Sequence, residues 1–188
     1  MGKDSFFYWR WAMKGFVTYC FSDWTKETFQ RGVLRIRNGK KTDEPIRRLL
    51  RIDEIPEQDY YIKKDPNFDD GTYSRCHCGL RKAIQPRDVL FFRTLWRGNQ
   101  YLIGYFSVLR KSGEEESPIV HADMKQSRLI DFALLITFEI AQLINPEIGY
   151  RPGVHKNVTL NGRLGRNYKL IDEPTTKALV ALIDAKAT

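Results

Sequence analysis

Residues 88–111 read DVLFFRTLWRGNQYLIGYFSVLRK. Two apolar, aromatic-rich runs flank the turn-prone Arg97-Gly98-Asn99-Gln100, the pattern of a β-hairpin. Alternation puts Leu90, Phe92, Thr94 and Trp96 on one face of the first strand, and Val89, Phe91, Arg93 and Leu95 on the other. Neither face is polar throughout. A barrel strand gives only one face to the interior, so the second must lie under a helix or meet a ligand. Trp96 adjoins Arg97 and is expected to face Tyr101 across the turn, which marks the hairpin end as the place for a ligand.

Upstream of the hairpin the chain alternates strand and turn signals. FFYWRWA, residues 6–12, reads as a strand with Phe7, Trp9 and Trp11 on one face. Asp23 is expected to cap a short helix over 24–30, closed by Gly32. VLRIR, residues 33–37, alternates apolar and basic residues before the hairpin signal Asn38-Gly39, so Arg35 and Arg37 share a cationic face. DEPIRRLLRI predicts a short helix from near Glu44 that carries Arg47, Arg48 and Arg51. Residues 53–75 read as a long polar loop with a short strand at Tyr60-Tyr61-Ile62.

Downstream, GEEESP at 113–118 is an acidic turn and IVHA at 119–122 a brief strand. Asp123 with Gln126 three residues on has capping-box spacing, so a buried helix is predicted over about 124–144, ended by Asn145-Pro146. Residues 147–171 read as irregular loops with room for one hairpin. A last helix is predicted over about 173–185, with Asp172 before it, Pro174 in its first turn and Leu179, Leu182 and Ile183 on one face. The pattern is α+β.

The 188 residues can bury a core without disulfides or metal. The 31 Lys+Arg against 23 Asp+Glu leave a formal charge of +8. It is unevenly spread: residues 1–111 hold 22 basic and 13 acidic side chains. A basic first part suggests a polyanionic partner, nucleic acid before membrane, because no basic amphipathic helix accompanies it. An odd set of three cysteines, two of them one residue apart, is a poor disulfide framework and points to a reducing compartment, with the cytoplasm expected. The most apolar stretch, 129–144, is too short to cross a bilayer and contains Asp131 and Glu139.

Cys76-His77-Cys78 has metal-binding residue types without zinc spacing, since neighbouring strand residues point to opposite faces. Small buried side chains on a strand are expected there, with no metal and no cofactor. His121-Ala122-Asp123 could hold a base and its orienting carboxylate, but Asp123 is better used as a helix cap. Gly162-Arg163-Leu164-Gly165 is similar to a phosphate-clamping GXXG loop without the flanking helices, and Arg163 and Arg166 make it a candidate backbone contact.

GKKTDEPIR, residues 39–47, joins these observations. It resembles the G-x-K-x-x-E-x-R motif of the ASCH branch of the PUA-like superfamily. Gly39, Lys41 and Glu44 match in spacing, while Arg47 falls one residue late and Pro45 intrudes. Pro86-Arg87-Asp88-Val89-Leu90-Phe91-Phe92 resembles the Gly-Asp strand opening of that family with arginine in place of glycine, and Leu102 to Val108 is similar to its returning strand. EVE and YTH domains share this hairpin, and residues 70–88 resemble the nucleotide-modification-associated domains.

The resemblance covers about residues 33–110. It implies one PUA-like domain over 1–188 with a C-terminal extension from about 145: a small mixed β-barrel flanked by helices. It also implies binding of RNA or DNA around a modified or flipped base. Arg35, Arg37, Arg47, Arg93, Trp96, Arg97, Tyr101, Arg163 and Arg166 would then contact the nucleic acid, aromatics stacking on bases and cations meeting phosphates. The alternative is an ASCH-like hydrolase of a modified nucleoside, in which Lys41 is the activated group and Glu44 holds it.

Overall fold

The computed structural model describes residues 12–20, 36–37, 40–41, 49–51, 66, 70–74, 76–96, 99–148, 164 and 168–185. Its centre is the expected hairpin, β6 (Val89–Trp96) and β7 (Asn99–Ser112), antiparallel from Val89↔Ser107 to Trp96↔Asn99. The connection is two residues long, tighter than the four-residue turn signal. The ladder therefore pairs Tyr101 with Thr94, and Trp96 with Asn99. A register shift between Phe92 and Arg93 leaves Ile103 as an extra residue on β7.

Strands join this hairpin on both sides. β1 (Gly15–Tyr19) runs parallel to β6, and β10 (Lys169–Ile171) pairs antiparallel with β1. On the other side β7 divides its length between two partners. Tyr101 to Tyr105 pair with β9 (Arg128–Leu135), which pairs in turn with β4 (Leu49–Arg51). The end of β7 pairs with β8 (Ile119–Ala122), and β8 with β5 (Thr72–Tyr73). A separate hairpin, β2 (Ile36–Arg37) with β3 (Lys40–Lys41), closes over residues 38–39 as the Asn38-Gly39 signal predicts.

The eight-stranded sheet is mixed, and it is open. This corrects the expected barrel. Among the described residues no ladder joins β10 to β4 or β5, and helices fill the face that a closed barrel would fill with strand side chains. α2 (Phe138–Ile144) supplies Ile140, Ala141 and Ile144; α3 (Glu173–Asp184) supplies Leu179 and Ile183. They pack with Val17, Val89, Phe91 and Tyr105. The opposite face buries Leu90, Phe92, Phe106 and Val108 with Tyr73, Val120 and two residues at α1 (Cys78–Ala83), Leu80 within it and Ile84 capping it. Phe92 meets Phe106 edge-on at 4.8 Å between ring centroids, a favourable aromatic geometry. Over Val89 to Phe92, β6 is buried on both faces, one against each core.

Two expected helices are strands. Residues 128–135 form β9, and the helix that follows starts only at Phe138, N-capped by Thr137, whose side chain accepts from the Ile140 amide at 3.4 Å. An apolar run of this length fits a strand or a buried helix equally by periodicity, and pairing with β7 and β4 decides it. Asp123 does cap, but it caps a turn: its carboxylate accepts from the Lys125 and Gln126 amides. Leu49–Arg51, expected as helix, is β4. The expected strand at 6–12 lies outside the described residues apart from Ala12, as do the helix at 24–30 and the Tyr60-Tyr61-Ile62 strand.

α3 follows its sequence signals. Asp172 N-caps it by accepting from the Thr175 amide at 2.9 Å, and Pro174 sits in the first turn. Leu179 and Ile183 are buried while Leu182 is 39% exposed, so two of the three predicted residues face the core. The helix lies close on β1 because Gly15 has no side chain: a Cβ there would come within 2.4 Å of the Thr176 hydroxyl.

Candidate functional site

The first turn before β6 shapes a cleft. Gln85-Pro86-Arg87-Asp88 closes with the Asp88 amide donating to the Gln85 carbonyl at 3.1 Å. Pro86 fits the second position, and Arg87 in the third has φ +78°, as in a type II turn. That position favours glycine, and an arginine there is held against its steric preference. Two hairpin bonds fix it, Arg87 N–H to the Val108 carbonyl at 2.8 Å and Val108 N–H to the Asp88 carbonyl at 2.9 Å.

Asp88 ties this turn to the start of β1. Its buried carboxylate accepts from the Lys14 amide at 2.9 Å and the Gln85 amide at 2.8 Å, and the Val89 amide donates to the Lys14 carbonyl at 2.9 Å. Lys14 and Arg87 are exposed and, with the apolar Met13, Ala83 and Pro86, line a cleft of about 320 Å³. That volume lies at the lower end of the range for small-ligand sites, about 300–1,000 Å³. Two cations beside an apolar slot can hold an anionic group and a flat apolar one together.

A larger hollow of about 490 Å³ lies beside the turn between β7 and β8. It is lined by Glu114, Glu115 and Glu116 with Lys82 and Lys111. Lys82 pairs with Glu116, and that bond raises the lysine pKa and lowers the glutamate's. Three carboxylates make this hollow a poor place for a polyanion.

A third polar group lies on the β5–β8–β7 surface. The Ser112 hydroxyl and His121 Nε2 are 2.6 Å apart. Burial first, then the Arg110 charge, holds the His121 pKa below its ordinary value, so the imidazole is neutral at neutral pH and can accept the serine proton. Asp70 opposes this shift, but its carboxylate is engaged by the Thr72 amide and hydroxyl. Asp123 serves its turn rather than His121.

Of the residues expected to contact nucleic acid or to act as the catalytic pair, Arg93 and Tyr101 have described side chains. Arg93 is 0% exposed: it donates to Gln100 Oε1 and to the Leu164 carbonyl at 3.2 Å, and its guanidinium lies 5.5 Å from the centre of the Tyr19 ring. Burial pushes its pKa down to about 10, so it is a buried cation at neutral pH. Tyr101 is half-buried and lies opposite Thr94 in the ladder, next to the Arg93–Leu102 pair. Arg37 and Lys41 are placed in β2 and β3, and Trp96 at the end of β6, by backbone alone. Arg35, Glu44, Arg47, Arg97, Arg163 and Arg166 lie outside the described residues.

No family model, curated protein or solved structure matches the chain. The site therefore stands on geometry. Cys76 and Cys78 are exposed and adjoin or begin α1, a correction to the buried strand expected of them. Among the described residues no group of three His, Cys, Asp or Glu side chains is placed to hold a metal, and no helix is long and apolar enough to cross a membrane. Lys14, Met13 and Asp88 were not singled out as site residues by the sequence. Pro86-Arg87-Asp88 stood out only by its resemblance to a Gly-Asp strand opening, and the positive φ at Arg87 is what the structure adds there.

Proposed function

We propose that this protein binds nucleic acid and that the cleft at Lys14 and Arg87 is where it does so. The observation that carries the reading is the pairing of two exposed cations with an apolar slot, one of those cations presented from a left-handed backbone position. Strained residues collect at functional sites, where the surrounding structure holds them. Phosphate oxygens would meet Lys14 and Arg87, and the face of one base would rest against Met13 and Pro86. The basic first 111 residues support the same partner, with 22 basic against 13 acidic side chains.

Binding of this kind weakens steeply with salt, because each neutralised phosphate releases counterions. Titration of short fluorescent single-stranded RNA and DNA oligomers at several salt concentrations tests it. The double variant Lys14→Gln/Arg87→Gln should reduce the slope of log K against log salt by about 1.4, at roughly 0.7 per phosphate contact on a single strand. Absence of binding by the wild type at low salt, or a double variant with the wild-type slope, sinks the proposal.

A further inference from the structure

Cys76 and Cys78 are exposed thiols separated by His77, whose backbone is left-handed at φ 48°, ψ 61°. Those angles are close to the mirror image of an α-helix, and mirror images share distances. With helical rise and radius, residues two apart have Cα atoms about 5.4 Å from each other. Disulfides need Cα atoms within about 4.4–6.8 Å and favour about 5.5–6 Å. On an extended strand the same two residues would share a face but stand roughly 6.6 Å apart, at the far end of that range.

This geometry is anchored. Arg81 is buried at 3% exposure; its Nε donates to the Cys76 carbonyl at 3.0 Å and its terminal nitrogen to the Pro118 carbonyl. The Arg81 amide donates to the His77 carbonyl at 3.1 Å, and the Cys78 thiol to the Glu116 carbonyl at 3.0 Å. The backbone of the pair is thus held from Arg81 of α1, while the Cys78 thiol bond to Glu116 is given up when a disulfide forms. A left-handed histidine is costly unless its surroundings impose it, and here they do.

We propose that Cys76 and Cys78 are a redox-active dithiol that closes to an intramolecular disulfide by exchange with small-molecule disulfides. One thiolate attacks the disulfide RSSR, giving a mixed disulfide and releasing one RSH after protonation. The second cysteine then attacks the protein sulfur of that mixed disulfide and releases the other RSH. The protein loses two hydrogens, and RSSR is reduced to two thiols. An exposed bridge of this kind is readily reversible. The proposal does not depend on what the Lys14–Arg87 cleft binds.

The test equilibrates the full chain with glutathione disulfide and glutathione over a range of ratios, quenches with acid, alkylates and maps the peptides by mass spectrometry. The peptide holding Cys76 and Cys78 should lose two hydrogens. Cys20, buried at 5% exposure, should stay reduced and serve as the internal reference. His77→Gly, which accepts the left-handed conformation, should keep the half-oxidation ratio within about twofold of wild type. His77→Val, whose branched side chain resists it, should demand a ratio at least about fivefold more oxidising. Stable adducts carrying one glutathione on each cysteine, or no loss of hydrogen at any ratio, would overturn the proposal. So would a valine variant that oxidises like the wild type.

Discussion

Arg87 and Arg93 sit on one stretch of chain, at the threshold of β6 and in its body, and they are the same residue put to opposite uses. Arg93 is fully buried, its guanidinium held by Gln100, the Leu164 carbonyl and the Tyr19 ring. Arg87 keeps its head in solvent at a cleft and takes an unfavourable backbone conformation to stay there. A count of basic residues weighs them equally. Burial and φ separate them, the first into the architecture and the second onto the exposed lining of the cleft.

The largest effect should come from the buried member. Arg93→Ala strands two acceptors, Gln100 Oε1 and the Leu164 carbonyl, and leaves a void. At about 1–3 kcal/mol for each unsatisfied group, the loss should be about 4 kcal/mol, lowering Tm by roughly 8–16 °C for a chain of this size. Thermal unfolding followed by circular dichroism measures it. A shift under about 2 °C would break the contrast, since Arg93 would then hold nothing in place.

Asp88 is the next lever, because it anchors the threshold as Arg93 anchors the body. Asp88→Ala leaves the Lys14 and Gln85 amides without their acceptor, which should cost about 2–4 kcal/mol. Asp88→Asn keeps one side-chain oxygen and should lose about half as much. Denaturant unfolding of the two variants gives the ratio. Equal losses would mean that the carboxylate charge matters more than its two hydrogen bonds.

The two regions were unequally legible in the sequence. The hairpin, the Asn38-Gly39 turn and α3 announced themselves, since each rests on local chemistry: alternating apolar residues, a turn dipeptide, an aspartate cap and a proline at a helix start. The run LIDFALL did not, because its apolar positions suit a helix or a two-sided strand, and only pairing with β7 and β4 selects the strand. The barrel expectation failed for a related reason. Closure depends on what covers the second face of β6, and that cover comes from Ile140, Ala141, Leu179 and Ile183, distant in sequence from the hairpin. For the site, arginine in place of glycine at 87 was noted only through a resemblance to a Gly-Asp strand opening, and Lys14 joins it through the Asp88 carboxylate and the approach of β1 alongside β6, which no local pattern announces. Cys76 and Cys78 looked like strand residues because nothing local announces a left-handed histidine between them.

The smallest effect is the sharpest on the comparison, since it separates the charge of Arg87 from its backbone. Relief of a left-handed strain is worth about 1–2 kcal/mol, and the extra freedom of glycine in the unfolded chain offsets about 0.5–1 of it. Arg87→Gly should therefore stabilise the fold by about 0.5–1 kcal/mol, raising Tm by roughly 1–4 °C. Arg87→Ala removes the same charge and keeps the strain, so its Tm should stay within about 1 °C of wild type. Both variants should lose the same salt-sensitive part of nucleic-acid affinity, since both lose the same guanidinium. Calorimetry and oligomer titration on the pair thus give two readings that must part in stability and coincide in binding. A glycine variant no more stable than the alanine one would show that the positive φ at 87 carries no cost. One that binds as the wild type does would leave Arg87 an ordinary surface cation, no nearer a ligand than its buried counterpart.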